Sequence, residues 1–110
     1  MVNLRLKGQR NEKKCEDELI KEGWECIRVH NSGNRFQKRV DFFGLWDVIA
    51  LKQGHLRFIQ VKTNNSPAKH KYLEWLEPHR CNPFIRAEIW IWYEAYKSSK
   101  YKGWRKIVLK

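Results

Sequence analysis

The chain has 110 residues, the length of one ordinary domain, and 42% of them are hydrophobic. A chain of this size buries roughly 65% of its unfolded surface, which is enough to fold without disulfides. We therefore expect one globular domain spanning residues 1–110 and no disordered tail. Its longest apolar run is far shorter than the roughly 20 residues of a membrane-spanning helix, and the N-terminus lacks the apolar core of a signal peptide.

The cysteines and histidines exclude two further kinds of site. Cys15, Cys26 and Cys81 are odd in number and widely spaced, which is typical of reduced thiols and not of a disulfide framework. The four histidines, His30, His55, His70 and His79, show no zinc-binding spacing. We expect a reduced, cytoplasmic protein.

Charge indicates the kind of partner. Lys and Arg total 23 against 12 acidic residues, a formal net charge of +11. The basic residues gather in residues 5–14, in residues 35–39 and in the last fourteen residues, which hold no acid. Such a field favours polyanions, and together with 14% aromatic residues it predicts a nucleic-acid partner. The alternative is a basic surface that serves only solubility.

Hydrophobic patterning predicts one helix, three strands, a second helix and two more strands in chain order. The predicted ranges are a helix at 11–22 ending at Gly23, strands at 24–30, 45–51 and 56–62, a helix capped by Ser66-Pro67 and stopped by Pro78, and strands at 87–94 and 104–109. The second helix should bury Ala68, Tyr72, Trp75 and Leu76. Residues 87–94 are bulky on both faces, which predicts a central strand, and 104–109 should be an edge strand. The order αβββαββ predicts an α/β fold, a mixed central sheet flanked by helices.

Polar residues interrupt the second and third strands. If loop 52–55 places Leu51 opposite Leu56 in an antiparallel pair, Asp47 lies opposite Gln60 on the same face. Lys62 shares that face, because strand side chains repeat every two residues. A carboxylate and an amide oxygen suit a hard divalent cation such as Mg2+, and a lysine beside them can assist an attacking water. The three residues therefore predict a metal-dependent hydrolytic site.

The first helix offers a fourth group. Cys15, Leu19 and Ile20 define its apolar face, and Glu12 and Glu16 are the helix acids on the buried stripe. An acid that points from this helix toward the sheet is a candidate metal ligand. Each residue alone has an ordinary structural alternative, such as a dipole-stabilising acid or a snorkelling lysine. The convergence of these polar residues in a basic protein favours the metal-dependent site over the separate structural alternatives.

The pattern resembles the PD-(D/E)XK nuclease superfamily, and within it the archaeal Holliday junction resolvases and related small viral nucleases. The resemblance rests on "DVIA" at 47–50 and "IQVK" at 59–62, preceded by Lys7, Gly8 and Glu12, by Gly23-Trp24, by Arg28 and by Ser32-Gly33. It spans roughly residues 7–80. It implies a restriction-endonuclease-like fold and a metal-dependent endonuclease acting on duplex or branched DNA, with Mg2+ or Mn2+ as cofactor and a homodimer as the assembly.

The resemblance also implies a role for each matching residue. Glu12, favoured over Glu16 by its spacing to Gly23, would contact the metal or water. Asp47 would bridge metal ions, Lys62 would be the catalytic lysine, and the Val61 carbonyl would be a further ligand.

Two positions depart from the family pattern. Gln60 stands where most members carry Glu or Asp, and Trp46 stands where proline usually precedes the aspartate. The lost charge predicts weaker metal affinity unless Asp41 compensates. These departures leave a second hypothesis open, a non-catalytic nucleic-acid-binding protein on a degenerate nuclease fold. An RNase is a third.

The loop at 31–39 is the expected substrate contact. Ser32, Arg35, Lys38 and Arg39 could bind the phosphate backbone, or the loop could be an ordinary solvated segment. For Trp90 and Trp92, packing in the core or at a dimer interface is favoured over base stacking.

Overall fold

The computed structural model describes residues 4–28, 41–94 and 103–110, with residues 4–8 described by their backbone alone. The elements are α1 (Leu4–Lys21), β1 (Glu25–Arg28), β2 (Val48–Lys52), β3 (His55–Thr63), α2 (His70–Leu76), a 3-10 turn (Glu77–His79), β4 (Ile85–Tyr93) and β5 (Gly103–Val108). The strands form one sheet in the order β1-β2-β3-β4-β5. Only the β3–β4 pair among them is parallel. The predicted order and the mixed α/β sheet are confirmed, with β4 internal and β5 at an edge.

Each helix covers one face of the sheet. Cys15 and Leu19 of α1 pack on what we call the α1 face, which carries Val48, Ala50, Ile59, Val61 and Trp90. Tyr72 and Leu76 of α2 pack on the α2 face, which carries Phe58, Ala87, Ile89 and Ile91, together with Trp46. The alternation along β3 explains the division, because odd-numbered residues face α1 and even-numbered residues face α2.

Helix α1 begins earlier than periodicity predicts. It starts at Leu4 rather than at residue 11, although residues 4–10 are mostly polar. Tertiary contacts hold its first half: Arg28 donates to the Gln9 carbonyl at 3.3 Å, and Asn11 donates to Thr63 Oγ1 at 2.5 Å. The helix ends where Gly23 adopts a φ of 93°, as the sequence predicts.

The β2–β3 hairpin has the predicted register. Leu51 lies opposite Leu56, and Lys52 also pairs with His55, so the connection is a two-residue turn and not a four-residue loop. Gln53 and Gly54 have φ values of 50° and 80°, as a type I′ turn requires.

Strand β2 begins three residues later than predicted because a separate turn precedes it. Phe42 and Trp46 exchange both backbone hydrogen bonds, at 2.8 and 3.0 Å. Phe43 and Gly44, inside this turn, have φ values of 56° and 70°. Residues 45 and 46, which were predicted to begin the strand, therefore belong to this turn.

The prediction of a helix start at Ser66-Pro67 is wrong. Helix α2 begins at His70 after Lys69, which makes no side-chain cap, and Ala68 is exposed outside the helix. Asn64 explains the delay, since its N–H donates to the Trp92 carbonyl at 2.9 Å and its Oδ1 accepts from the Glu94 N–H at 3.0 Å. These bonds keep the chain attached to β4 beyond the end of β3.

Candidate active site

Asp47 is held by backbone on two sides. It directly precedes β2, and its N–H donates to the Ile59 carbonyl at 2.9 Å. Its Oδ2 accepts a hydrogen bond from the Val61 N–H at 3.0 Å, and the residue is 4% exposed. The turn at 42–46 and the end of the β2–β3 ladder therefore fix a buried carboxylate beside β3.

Gln60 lies between the two residues of β3 that bond to Asp47. The Asp47 N–H donates to Ile59 and its carboxylate accepts from Val61, while the regular β2–β3 pairing ends at Val48 with Ile59. Gln60 is 5% exposed, and within the described part of the chain its Oε1 has no hydrogen-bond partner. A buried amide oxygen without a partner costs about 1–3 kcal/mol, so its retention requires an explanation.

Lys62 lies two residues further along β3 and is half-buried. Strand alternation puts it on the α2 face with Gln60 and Phe58. Gln60 and Lys62 therefore share one face of β3, and their convergence with Asp47 stays a prediction.

Glu12 approaches from the opposite face. It is buried on α1, and its neighbour Asn11 bonds to Thr63, so this part of the helix lies at the end of β3 that carries Lys62. Glu16 instead forms an ion pair with Arg28 at 3.5 Å. The structure thus separates the two acids that periodicity left equivalent. A meeting of Glu12 with Asp47, Gln60 and Lys62 in one cleft stays a prediction.

The donor atoms at the site fit a cation that is bound partly by neutral oxygens. Among residues 4–28, 41–94 and 103–110 no group of three or more His, Cys, Asp or Glu side chains could hold a metal ion. Val61 supplies an oxygen of another kind. The N–H and C=O of a strand residue point to the same neighbour, and the Val61 N–H points to Asp47. Its carbonyl is therefore directed to the same side, where it would join Gln60 Oε1 and the Asp47 carboxylate.

Tyr72 of α2 lies beside Trp46, and from sequence it was predicted only as an apolar-face residue of that helix. The residue is 1% exposed, and its ring centroid lies 5.3 Å from that of Trp46. Burial raises the pKa of the Tyr72 hydroxyl, and the negative charges of Asp47 and Asp41 raise it further. Its hydroxyl therefore senses both carboxylates.

The predicted substrate contacts, Ser32, Arg35, Lys38 and Arg39, lie outside the described residues, so that expectation stays untested. Trp90 is fully buried, as its core assignment predicts. Trp92 is half-buried, packs edge-on against Trp104 at 5.1 Å and carries Lys14 Nζ 3.9 Å from its ring centroid.

Neither a protein-family model nor a curated protein sequence matches this chain. Among solved structures, the chain is similar to Hjc of Archaeoglobus fulgidus, described as a Holliday junction resolvase from an archaeal hyperthermophile. The two share 23% sequence identity and a TM-score of 0.58, over 91% of this chain and 74% of that one. This likeness shows a shared fold and confirms the expected restriction-endonuclease-like architecture. Within the described ranges, no helix is long and apolar enough to cross a membrane.

Proposed function

We propose that this chain is a metal-dependent endonuclease that hydrolyses phosphodiester bonds in duplex or branched DNA. The observation that carries the proposal is a buried Asp47 that bonds to Ile59 and Val61, the residues on either side of Gln60. The Gln60 oxygen is buried and has no hydrogen-bond partner among the described residues, and Lys62 lies two residues further along the same strand. The fold shared with a Holliday junction resolvase and the net charge of +11 support it.

The residues divide into those that hold a cation and those that act on the substrate. Asp47, Gln60 and the Val61 carbonyl would hold Mg2+, with Mn2+ as an alternative, and Glu12 would contribute from the α1 side. A divalent cation bound there would neutralise charge on the scissile phosphate and lower the pKa of water. Lys62 carries a positive charge on the same face, where it orients the attacking water and stabilises the negative charge that develops on the phosphate.

The wider surface completes the proposal. Ser32, Arg35, Lys38 and Arg39 would contact backbone phosphates, which position DNA without reading its sequence. Two cuts are needed to resolve a junction, so we propose a homodimer as the active assembly. The three free cysteines are compatible with action in the cytoplasm, which we propose as the compartment.

The test is cleavage of labelled substrates, namely a four-way junction, duplex, single-stranded DNA and RNA, each with Mg2+, Mn2+ or EDTA. Asp47→Asn and Lys62→Ala should each reduce cleavage at least about 100-fold, while DNA affinity changes little because phosphate contacts hold the substrate. Asp17→Asn and Lys13→Ala, an exposed pair on α1, are matched controls that should cleave normally. Full activity of Asp47→Asn, or cleavage in EDTA, would overturn the proposal, and cleavage of RNA alone would assign an RNase.

One observation favours a second candidate, a binding protein without catalysis. Gln60 is neutral, and the described residues hold no three-acid cluster of the kind that binds metal tightly. Such a protein would bind DNA equally well with Mg2+ and with EDTA and would show no saturable Mn2+ site. Titration of the metal alone therefore separates the two candidates.

A further inference from the structure

Asp47 has a second carboxylate beside it. Phe42 and Trp46 form a hydrogen-bonded antiparallel pair, joined by bonds of 2.8 and 3.0 Å in both directions. Because this pair closes the turn, the residues that flank it, Asp41 and Asp47, are brought close together in space.

Asp41 and strand β3 flank Asp47 from opposite sides. The Asp47 N–H points toward β3, where it donates to Ile59. Backbone groups of successive residues alternate in direction, so Trp46 points away from β3, toward Phe42. Asp47 therefore lies between the segment that carries Asp41 and the part of β3 that carries Gln60.

The environment of Tyr72 supports this arrangement independently of the backbone. This phenol lies on α2, where burial raises its pKa and the charges of Asp47 and Asp41 raise it further. Both carboxylates therefore act on the same buried side chain. Asp41 itself is half-buried.

We propose that Asp41 is a metal ligand of this site and supplies the negative charge that Gln60 does not. The inference rests on the proposed function, because it concerns the same cation. The set would then comprise two carboxylates, Asp41 and Asp47, and two neutral oxygens, those of Gln60 and Val61. Hard divalent cations accept such mixed oxygen sets. The buried Gln60 Oε1, which has no hydrogen-bond partner among the described residues, is the independent sign that a ligand belongs there.

The test uses Mn2+ as probe and the full-length chain, with binding measured by titration calorimetry and by the electron paramagnetic resonance of free Mn2+. Asp41→Asn should weaken Mn2+ binding by about tenfold or more, the range found for groups that support a bound metal. Asp17→Asn makes the same chemical change at an exposed position on α1 and should bind Mn2+ as the wild type does. The double variant Asp41→Asn/Gln60→Glu restores the number of negative charges at the site and should recover most of the lost affinity for Mn2+.

A second measurement needs no variant at Asp41 and covers the case in which Asp41→Asn fails to fold. Substoichiometric Mn2+ added to the wild-type chain should broaden the NMR resonances of Asp41 together with those of Asp47. A wild type without a Mn2+ site would overturn the proposed function itself. Two results would overturn this inference alone, provided that the wild type binds Mn2+. One is that Asp41→Asn binds Mn2+ as tightly as Asp17→Asn does, and the other is that the NMR resonances of Asp41 stay sharp.

Discussion

The Val61 N–H donates to Asp47 Oδ2 at 3.0 Å in the buried centre of the molecule. The β2–β3 ladder ends at the preceding rung, Val48 with Ile59, so this carboxylate satisfies a backbone group that the strand no longer can. Asp47 therefore stabilises the end of the hairpin in addition to its proposed role as a metal ligand. The two roles can be separated by the choice of substitution.

Asp47→Asn and Asp47→Ala should differ in stability although both abolish cleavage. Asparagine retains an oxygen that can accept from Val61, whereas alanine leaves a buried N–H without a partner. That loss costs about 1–3 kcal/mol, which urea unfolding without metal would measure as a lower free energy of unfolding for Asp47→Ala alone. Asp17→Ala, at an exposed position, should change stability by less than about 0.5 kcal/mol. Equal stability of the two Asp47 variants would contradict the structural role.

The sequence predicted best those features that depend on residues close together in the chain. The two-residue turn joins β2 to β3 directly, so the pairing of Leu51 with Leu56 could be predicted. The C-terminus of α1 could also be predicted, because Gly23 adopts a backbone conformation that favours glycine.

Features that depend on distant contacts could not be predicted. Periodicity identified the buried stripe of α1 that carries Glu12, but it cannot say which face of the sheet a helix covers. The start of α2 depends on hydrogen bonds between Asn64 and two residues of a distant part of the chain, Trp92 and Glu94, the second of them 30 residues away. Tyr72 lies on an element that is distant from Asp47 in sequence, so the effect of the carboxylates on its pKa left no local pattern.

The three thiols should react at very different rates in the native protein. Cys15 is fully buried and its burial raises its pKa, while burial also raises the pKa of Cys26 to about 11. Cys81 is exposed. Since the thiolate is the reactive form, a disulfide reagent at pH 8 should modify Cys81 rapidly, Cys26 slowly and Cys15 only on unfolding. Mass spectrometry of the labelled sites would check the order.

Replacement of Cys81 by serine is the control for this experiment and should remove the rapid phase without altering the rest. A native protein with two rapidly labelled thiols would contradict the burial of Cys15 and Cys26.

DNA affinity should fall steeply with salt. For duplex DNA, log K declines by about 0.9 per unit of log salt for each neutralised phosphate. If Arg35, Lys38 and Arg39 each contact a phosphate, their joint replacement by alanine should flatten the slope by about 2.7. Fluorescence anisotropy of labelled duplex across a salt series would measure it.

A charge-matched triple variant tests whether the position of these residues matters. Alanine at Lys21, Lys69 and Arg80, all exposed and remote from residues 31–39 in sequence, removes the same net charge. It should leave the slope nearly unchanged, because screened charges contribute little without a phosphate contact. Equal slopes for the two triple variants would place the DNA-binding surface elsewhere.

Stability should also depend on pH through an ion pair on the α1 face. Arg57 donates two hydrogen bonds to Glu88, at 2.6 and 2.7 Å, across the parallel β3–β4 pair. Trp90 Nε1 donates a third to Glu88 at 3.0 Å. Burial alone would raise the pKa of Glu88, but the bonds from Arg57 and Trp90 and the charge of Arg57 outweigh it and hold the pKa below its ordinary value of 4.5.

The depressed pKa of Glu88 fixes the sign of the pH effect: its contribution is complete above pH 4.5 and is lost as pH falls through the folded-state value. At pH 7, Glu88→Gln leaves the largely buried Arg57 with the more distant and more exposed Glu22, 4.0 Å away, as its counter-ion and should lower the free energy of unfolding by about 3 kcal/mol. The difference in the free energy of unfolding between wild type and Glu88→Gln, measured by urea titration, should become progressively smaller below pH 4.5. Glu77→Gln is the matched control, because Glu77 and Arg80 also lie 2.6 Å apart but are 69% and 56% exposed. That pair should contribute less than about 1 kcal/mol. A Glu88 variant as stable as the control at pH 7 would show that the buried pair does not stabilise the sheet.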